Sequence, residues 1–332
     1  MDSSVSVPSV PVLSFDLSDW SQIEMSGTGA RLFLNNFCTN DIQKLSPGRS
    51  CEAFVCDLKG RILGHVLIHA IADRFHLVGV PGTAETLIPH FSKYLLDAPV
   101  QIVDRTLEWG LQCLHGPGLS DFLHSTTGIE AAPAPEHNQQ VQTAQGMLLV
   151  TGTRLLVPTT CLVFGPRKDI AAWQEQVLEK SVKLGTLQHF ELLRIESGFP
   201  RYGQDLGQNE IAQSAARTKW AISFTKGCYL GQEPIARLDA MGHTNRELRG
   251  LLIPGNEITT GAAVVLAEKD IGKVTSMAWS HARSATLALA MIRTQHSAPG
   301  THVHVQTAHG LLPATVYWPD VNSIAADHAG EC

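Results

Sequence analysis

The residue types best suited to chemistry fall in one run, Lys226-Gly227-Cys228-Tyr229-Leu230-Gly231-Gln232-Glu233. A cysteine stands between two glycines, which let the backbone turn tightly and leave the thiol uncrowded. Pro234 suits the first turn of a helix, where a missing N–H costs nothing. A thiol just ahead of a helix N-terminus and two residues from a lysine is expected to favour the thiolate. Such a thiolate can ligate iron or a cluster edge, or attack an activated carbon or sulfur. The same letters also describe a small buried hydrophobe in a tight turn. Cys228 and Lys226 are thus the candidate reactive pair, with Lys226 alternatively a solvated turn residue.

Further polar residues flank this run. Tyr229, Gln232 and Glu233 either orient the loop by capping the next helix or touch a ligand. Arg237, on that helix, suits an anion or a surface ion pair. Asn40 and Asp41, in Cys38-Thr39-Asn40-Asp41, either cap a helix or contact a ligand. Arg194 and Glu196 are two apart and point to different sides of a helix. His65 and His69 have the spacing of a helical metal pair, but the segment reads as a strand, where residues four apart are roughly 13 Å apart. Cys51 and Cys56 fall on opposite strand faces. No CxxC or HExxH occurs among the 7 cysteines and 15 histidines, so no metal site is expected.

Length and composition bound the rest. The 332 residues suggest two or three domains, and 44% hydrophobic with 17% charged residues is an ordinary globular balance. The net charge of −6 and the lack of a dense Lys/Arg run argue against a nucleic-acid partner. The odd cysteine count argues against a disulfide scaffold and for a reducing compartment. Met1 to Trp20 has neither a basic leader with an apolar core nor any arginine, and it contains Asp2, Asp16 and Asp19. No run approaches the roughly 20 apolar residues of a membrane span. The expectation is a soluble, cytoplasmic protein.

The elements that must position these residues alternate between helix and strand. Apolar spacing predicts a helix over Ala30 to Phe37, after a Gly27-Thr28-Gly29 turn. Strands are expected over Ser50 to Cys56 and Ile62 to Ala70, joined by the Asp57 to Arg61 hairpin turn, and over Phe75 to Val80. A helix over Thr83 to Leu96 follows, then strands over Val100 to Asp104 and Glu108 to His115. His124 to Gln145 reads as an exposed loop, and strand character resumes at Gly146 to Val157. Helices are expected over Asp169 to Lys183 and Leu187 to Glu196. Beyond Gly242, six short strands at close spacing, punctuated by glycines, predict a small β-barrel or sandwich. The pattern is α+β, with a boundary near residue 245 and a tail from Asp320.

With these motifs placed, Lys226 to Glu233 resembles the KGCYxGQE motif of the YgfZ family, folate-binding relatives of the glycine-cleavage T-protein aminomethyltransferase. Arg194-Ile-Glu-Ser-Gly-Phe-Pro-Arg-Tyr-Gly203 resembles that family's R-x-E-x-G-x-P-x-x-G segment. The Leu34 to Gly48 stretch, the Asp57 to Leu63 hairpin and the strand Ala221-Ile-Ser-Phe-Thr225 match in the family's order. Ile271 to Ser276 and Ala288 to Ala290 resemble T-protein barrel segments. The likeness runs from about Leu32 to Tyr317.

The resemblance implies a folate-binding core of ferredoxin-like α/β subdomains around a central channel over residues 1–245, with a subdomain break near 116–145. A C-terminal β-barrel over 246–320 and a tail over 321–332 follow. It implies tetrahydrofolate or a one-carbon derivative as cofactor, with Cys228 and Lys226 as the chemical centre. Arg237, Arg194, Asn40, Asp41, Tyr229, Gln232 and Glu233 are the candidate cofactor-binding residues. The implied function is an accessory role in iron–sulfur cluster assembly or repair, with cluster enzymes, including tRNA-modifying ones, or assembly proteins as clients. A folate-dependent aminomethyl or one-carbon transferase is the alternative. Two departures bear on the choice. Where the transferases carry a hairpin aspartate, this chain has Gly64-His65, and Arg154 to Phe164, matching a pterin-contacting segment, contains no acid.

Overall fold

The computed structural model describes residues 12–178 and 182–318, so the expected tail over 321–332 lies outside the described residues. Three β units organise the chain. The first is a five-stranded sheet in the order β3-β4-β5-β2-β6, built from β2 (Ser21–Ser26), β3 (Ser50–Cys56), β4 (Ile62–Ile71), β5 (Arg74–Gly79) and β6 (Gln101–Asp104). The second is a six-stranded sheet in the order β11-β1-β7-β10-β9-β8. Its strands are β1 (Val12–Asp16), β7 (Trp109–His115), β8 (Asn138–Gln142), β9 (Met147–Gly152), β10 (Thr160–Pro166) and β11 (Val182–Leu184). The third is a closed barrel of β12 (Arg246–Pro254), β13 (Ala263–Leu266), β14 (Lys269–Ser280), β15 (Ala285–Arg293), β16 (His302–Thr307) and β17 (Gly310–Tyr317). Closure leaves the barrel without an exposed strand edge.

Helices cover one face of each sheet. On the first sheet lie α1 (Ala30–Phe37) and α2 (Thr83–Ser92), on the second α3 (Leu119–Thr127) and α4 (Arg167–Leu178). The periodic apolar residues Phe33, Leu34 and Phe37 of α1 are all buried, and both phenylalanine rings meet Phe91 of α2 edge-on. The opposite faces of the two sheets pack on each other through Leu67, Val78, Leu111 and Phe164, with α5 (Leu187–Glu196) closing one end through Phe190 and Leu193. After a 3-10 turn over Ala212–Ala215, two short α-helices precede the barrel. They are α6 (Thr218–Ala221) and α7 (Gln232–Met241), the latter sending Ile235 into a core shared with Leu248, Leu287 and Leu289 of the barrel.

Strand and helix positions follow the sequence pattern closely from Ser50 to His115 and across the barrel. Three differences have physical causes. Residues 124–145 are not simply a loop, because α3 reaches Thr127 and β8 pairs along β9. In β8 only Asn138 and Val141 are buried, so a polar edge strand gave no apolar alternation to read. The helix expected over Asp169 to Lys183 ends at Leu178, and Val182–Leu184 pairs with β1 instead. Finally, β1 pairs antiparallel with β7 and parallel with β11, so the second sheet takes strands from before and after the first sheet in the chain, which the strand pattern does not announce. A strand that joins a sheet a hundred residues later leaves no local sign of its destination.

Candidate functional site

The cysteine loop is held from beneath by Lys226. Its ammonium donates to the carbonyls of Asn35 at 2.5 Å, Cys38 at 2.6 Å and Asn40 at 2.7 Å. It lies 4.8 Å from the centroid of the buried Tyr229 ring. Burial draws the lysine pKa down to about 8. All three ammonium donors are committed to carbonyls at the end of α1, so Lys226 is a strut between loop and helix and has no donor left for the Cys228 sulfur. Further backbone bonds fix the loop at both ends, from Ser223 to Thr39 at 2.9 Å and from Leu230 to Asn36 at 2.8 Å.

Cys228 itself is exposed, while the other five described cysteines are buried or partly buried and all six are free thiols. A side chain on the neighbouring Gly227 would likewise meet nothing within 4 Å. Gly231, at φ +81°, closes the loop: a Cβ there would fall 2.3 Å from the Asp57 carbonyl of the β3–β4 hairpin. Only glycine permits that approach. Gln232 accepts from the Tyr229 N–H at 3.3 Å and so orders the turn into α7. Glu233 and Arg237 are exposed on α7.

Asn40 and Asp41 occupy turn positions. Asn40 donates from its amide to the carbonyls of Glu52 at 2.9 Å and Trp220 at 2.8 Å, and accepts from the Asp41 N–H. It therefore stitches β3 to α6. Asp41 caps the following turn through Lys44, whose ammonium is 3.1 Å away. Thr39 adds a stitch of its own, donating to Ala221 at 2.6 Å and accepting from Phe54 at 2.9 Å.

Arg194 is fully enclosed. Its guanidinium meets Glu191 and Asp205, both at 2.8 Å, the Phe199 carbonyl at 2.6 Å and Ser276 of β14 at 2.9 Å. That network locks α5 to the barrel and leaves the fork no donor for a small molecule. Burial opposes its charge, but the neighbouring carboxylates outweigh it and hold its pKa up. Glu196 turns instead to Arg283, at 3.1 Å.

A second cluster escaped the motif reading. Arg217, just before α6, grips Glu52 of β3 with two bonds of 2.8 and 2.5 Å. His65 of β4 holds the same carboxylate at 2.8 Å, and its ring is stacked between Phe54 and Phe199. Burial would raise the Glu52 pKa, yet the Arg217 charge and hydrogen bonds, joined by His65, overcome it and hold the acid far below its usual range. The Trp220 ring faces three cations: Arg217 at 4.4 Å, Lys219 at 5.7 Å and Arg154 at 5.8 Å. Arg154 in turn pairs with Glu136 at 2.6 Å. The loop that carries Glu136 crosses the end of β9 closely, since a side chain on Gly152 would sit 2.1 Å from the Pro133 carbonyl.

Glu52, His69, Glu136, Thr153 and Arg154 line a cleft between the two sheets. The sign that could have exposed it is Glu52 itself, a carboxylate between Cys51 and the apolar run Ala53-Phe54-Val55-Cys56, because a buried charge demands a partner. Among the described residues no group of three metal-ligating side chains forms, and His65 and His69 bond to different partners, Glu52 and Ser50. No described helix is long and apolar enough to cross a membrane.

Comparison with known proteins agrees with this architecture. Residues 10–226 match the GCVT N-terminal domain and residues 246–319 the glycine cleavage T-protein C-terminal barrel domain. A chloroplastic protein of Arabidopsis thaliana, provisionally named a transferase, is 26% identical over 310 residues, covering 92% of this chain and 71% of its own length. An aminomethyltransferase of Symbiobacterium thermophilum is 27% identical over 316 residues, covering 91% of this chain and 84% of its own. The crystal structure of the glycine cleavage system aminomethyltransferase T from Bartonella henselae superposes with a TM-score of 0.83 at 22% identity, over 93% of this chain and 85% of that one.

Proposed function

The chain belongs to the glycine-cleavage T-protein family, and from that premise we propose that it binds tetrahydrofolate in the cleft between the two sheets and acts on the one-carbon unit that folate carries. The observation that carries this reading is the array around Trp220: a half-buried aromatic face beside Arg154 and Lys219, with the Glu136 carboxylate within reach of Arg154. A folate has a flat heteroaromatic ring with amine donors and a tail of carboxylates, so its parts match an aromatic face, an acid and two cations. Glu52 is not available to it, since both of its oxygens are bound to Arg217.

The cleft encloses only about 20 Å³, room for a single water. Entry of a pterin therefore requires the partly exposed Arg154–Glu136 pair to part. Bound tetrahydrofolate would supply the nitrogen that carries the one-carbon unit. The protein's part is to seat the ring on Trp220, hold the acidic tail with Arg154 and Lys219, and keep that surface rigid through Arg217. Matching relatives named aminomethyltransferase support transfer chemistry. Gly64-His65 stands in place of the transferases' hairpin aspartate, and the His65 ring there is hydrogen-bonded to the Glu52 carboxylate at 2.8 Å.

An accessory role toward iron–sulfur enzymes, including tRNA-modifying ones, is the second reading. It is favoured by one observation, an exposed thiol on a loop fixed at both ends. Calorimetric titration with tetrahydrofolate tests the first reading. Saturable binding weakened about tenfold by Trp220→Ala, or ~1.4 kcal/mol, is expected. No saturable heat from folded protein would sink it. Transfer of methylene from a glycine-derived aminomethyl donor separates a transferase from an accessory protein. If Cys228→Ala fully rescues iron–sulfur enzyme activity in a deletion strain, the thiol-centred reading is wrong.

A further inference from the structure

Where α7 gives way to the barrel, a second concavity opens, away from the residues used above. It holds about 360 Å³ and is lined by His243, Asn245, Arg246, Arg293, Thr294 and Gln295. Arg246 begins β12 and Arg293 ends β15, and the two are directly paired across the antiparallel ladder. Like charges opposite each other destabilise a sheet unless something neutralises them. Within the described residues neither arginine forms an ion pair. The neighbouring acid, Glu247, is committed to Arg249 at 2.7 Å and to Ser297. Glu210 lies within electrostatic reach of Arg246 without pairing to it, and burial pushes its carboxyl up toward the neutral form.

The walls of this concavity are tied together. Thr294 donates from its backbone to the Asn245 carbonyl at 3.1 Å and from its hydroxyl to the Thr244 carbonyl, joining the α7–β12 linker to the end of β15. Two uncompensated guanidinium groups, with the neutral side-chain amides of Asn245 and Gln295 beside them, thus line a volume larger than an ion. Guanidinium forks match the tetrahedral oxygens of phosphate two at a time.

We propose that this pocket is a binding site for the phosphate group of a small phosphomonoester, held between Arg246 and Arg293. The site is independent of the folate cleft. A nucleic-acid backbone is the less suitable occupant, since the positive charge is confined to one concavity on a chain of net charge −6.

Phenyl phosphate and inorganic phosphate are the probes, titrated calorimetrically and in thermal melts against sodium chloride at matched ionic strength. Saturable binding of phenyl phosphate is expected, with a rise in the wild-type melting midpoint beyond that given by chloride. Arg293→Gln should melt slightly above wild type in the absence of phosphate, because the like-charge pair is relieved, and should lose at least tenfold in phenyl phosphate affinity. Arg293→Lys keeps the charge but not the fork and should fall between. The inference fails if phenyl phosphate gives no saturable heat, if chloride raises the midpoint equally, or if Arg293→Gln and Arg246→Gln bind as wild type does. It also fails if single-stranded RNA binds through these arginines while phenyl phosphate does not.

Discussion

The cysteine loop and the Glu52–Arg217 cleft use charge in opposite ways. In the loop, Lys226 is spent on three main-chain carbonyls, and the side chain it supports, Cys228, is left in solvent. In the cleft, Arg217 is spent on Glu52, and the surface it supports is the ring of Trp220. The loop thus presents a lone exposed thiol on a rigid mount. The cleft presents a face and an array of charges. The proposed folate, a ligand with shape, is assigned to the second, and any thiol chemistry would fall to the first. Mutations that undermine the mounts should therefore look like folding defects, whereas mutations of the presented groups should not.

The largest effect is expected at the mount of the cleft. Arg217→Met leaves the Glu52 carboxylate buried with only His65 beside it, and should cost about 3–5 kcal/mol in denaturant unfolding. Adding Glu52→Gln to that variant should restore part of the loss, since the stranded charge is gone. A single-variant cost under about 1 kcal/mol would mean that the pair is wetter than its burial implies. Lys226→Met comes next. It strands three carbonyls, two of them with the buried residues Asn35 and Cys38, and a loss of about 2–3 kcal/mol is expected. Because the lysine also anchors the loop, the rate of Cys228 labelling by an alkylating reagent should change in the same variant. Unchanged labelling would show that the backbone bonds at Ser223 and Leu230 suffice to hold the loop.

Acidity should separate the cleft from the loop. His69 and His76 are opposite each other across β4 and β5, and burial draws both pKa values down to about 3. The unfolded chain binds these protons near the ordinary histidine value of 6.5. Stability from this pair is therefore full above pH 6.5 and is lost as the pH falls toward 3, by up to about 1.4 kcal/mol per pH unit for each histidine. Glu52, with its folded pKa held low, adds a loss of the same sign below the ordinary value of 4.5. The double variant His69→Gln, His76→Gln should flatten the slope between pH 6 and 4 in urea unfolding, whereas Lys226→Met should leave it unchanged. An unaltered slope in the histidine variant would assign the acid sensitivity elsewhere.

How far the sequence could be read follows the same division. Lys226, Cys228 and Gly231 are close in the chain, so their spacing announced a constrained turn and a thiol near a helix start. Strand alternation and glycine punctuation likewise announced a small barrel or sandwich after Gly242, which the structure closes as a barrel from Arg246 to Tyr317. What local spacing cannot carry is a partner far along the chain. Glu52 and Arg217 are 165 residues apart, as are the elements they join. Arg194 illustrates the converse: a residue inside a recognisable segment, whose enclosed guanidinium reaches Ser276 of β14. The pattern around an arginine does not say whether its fork meets a ligand or the fold, because both uses satisfy the same donors.

The smallest expected change is the most discriminating. Cys228→Ser replaces an exposed sulfur by an oxygen of similar shape at a position where nothing packs on the side chain. Unfolding free energy should stay within about 0.5 kcal/mol of wild type. Tetrahydrofolate titration should be unchanged too, if the cleft alone holds the cofactor. Any biological defect of this variant would then report chemistry at the thiol, not folding and not folate binding. If instead its folate affinity falls with that of Trp220→Ala, loop and cleft form one site, and the contrast between mount and presented group must be redrawn around a ligand that spans both. The paired titration of these two variants decides the matter, because each removes a presented group and leaves Lys226 and Arg217 in place.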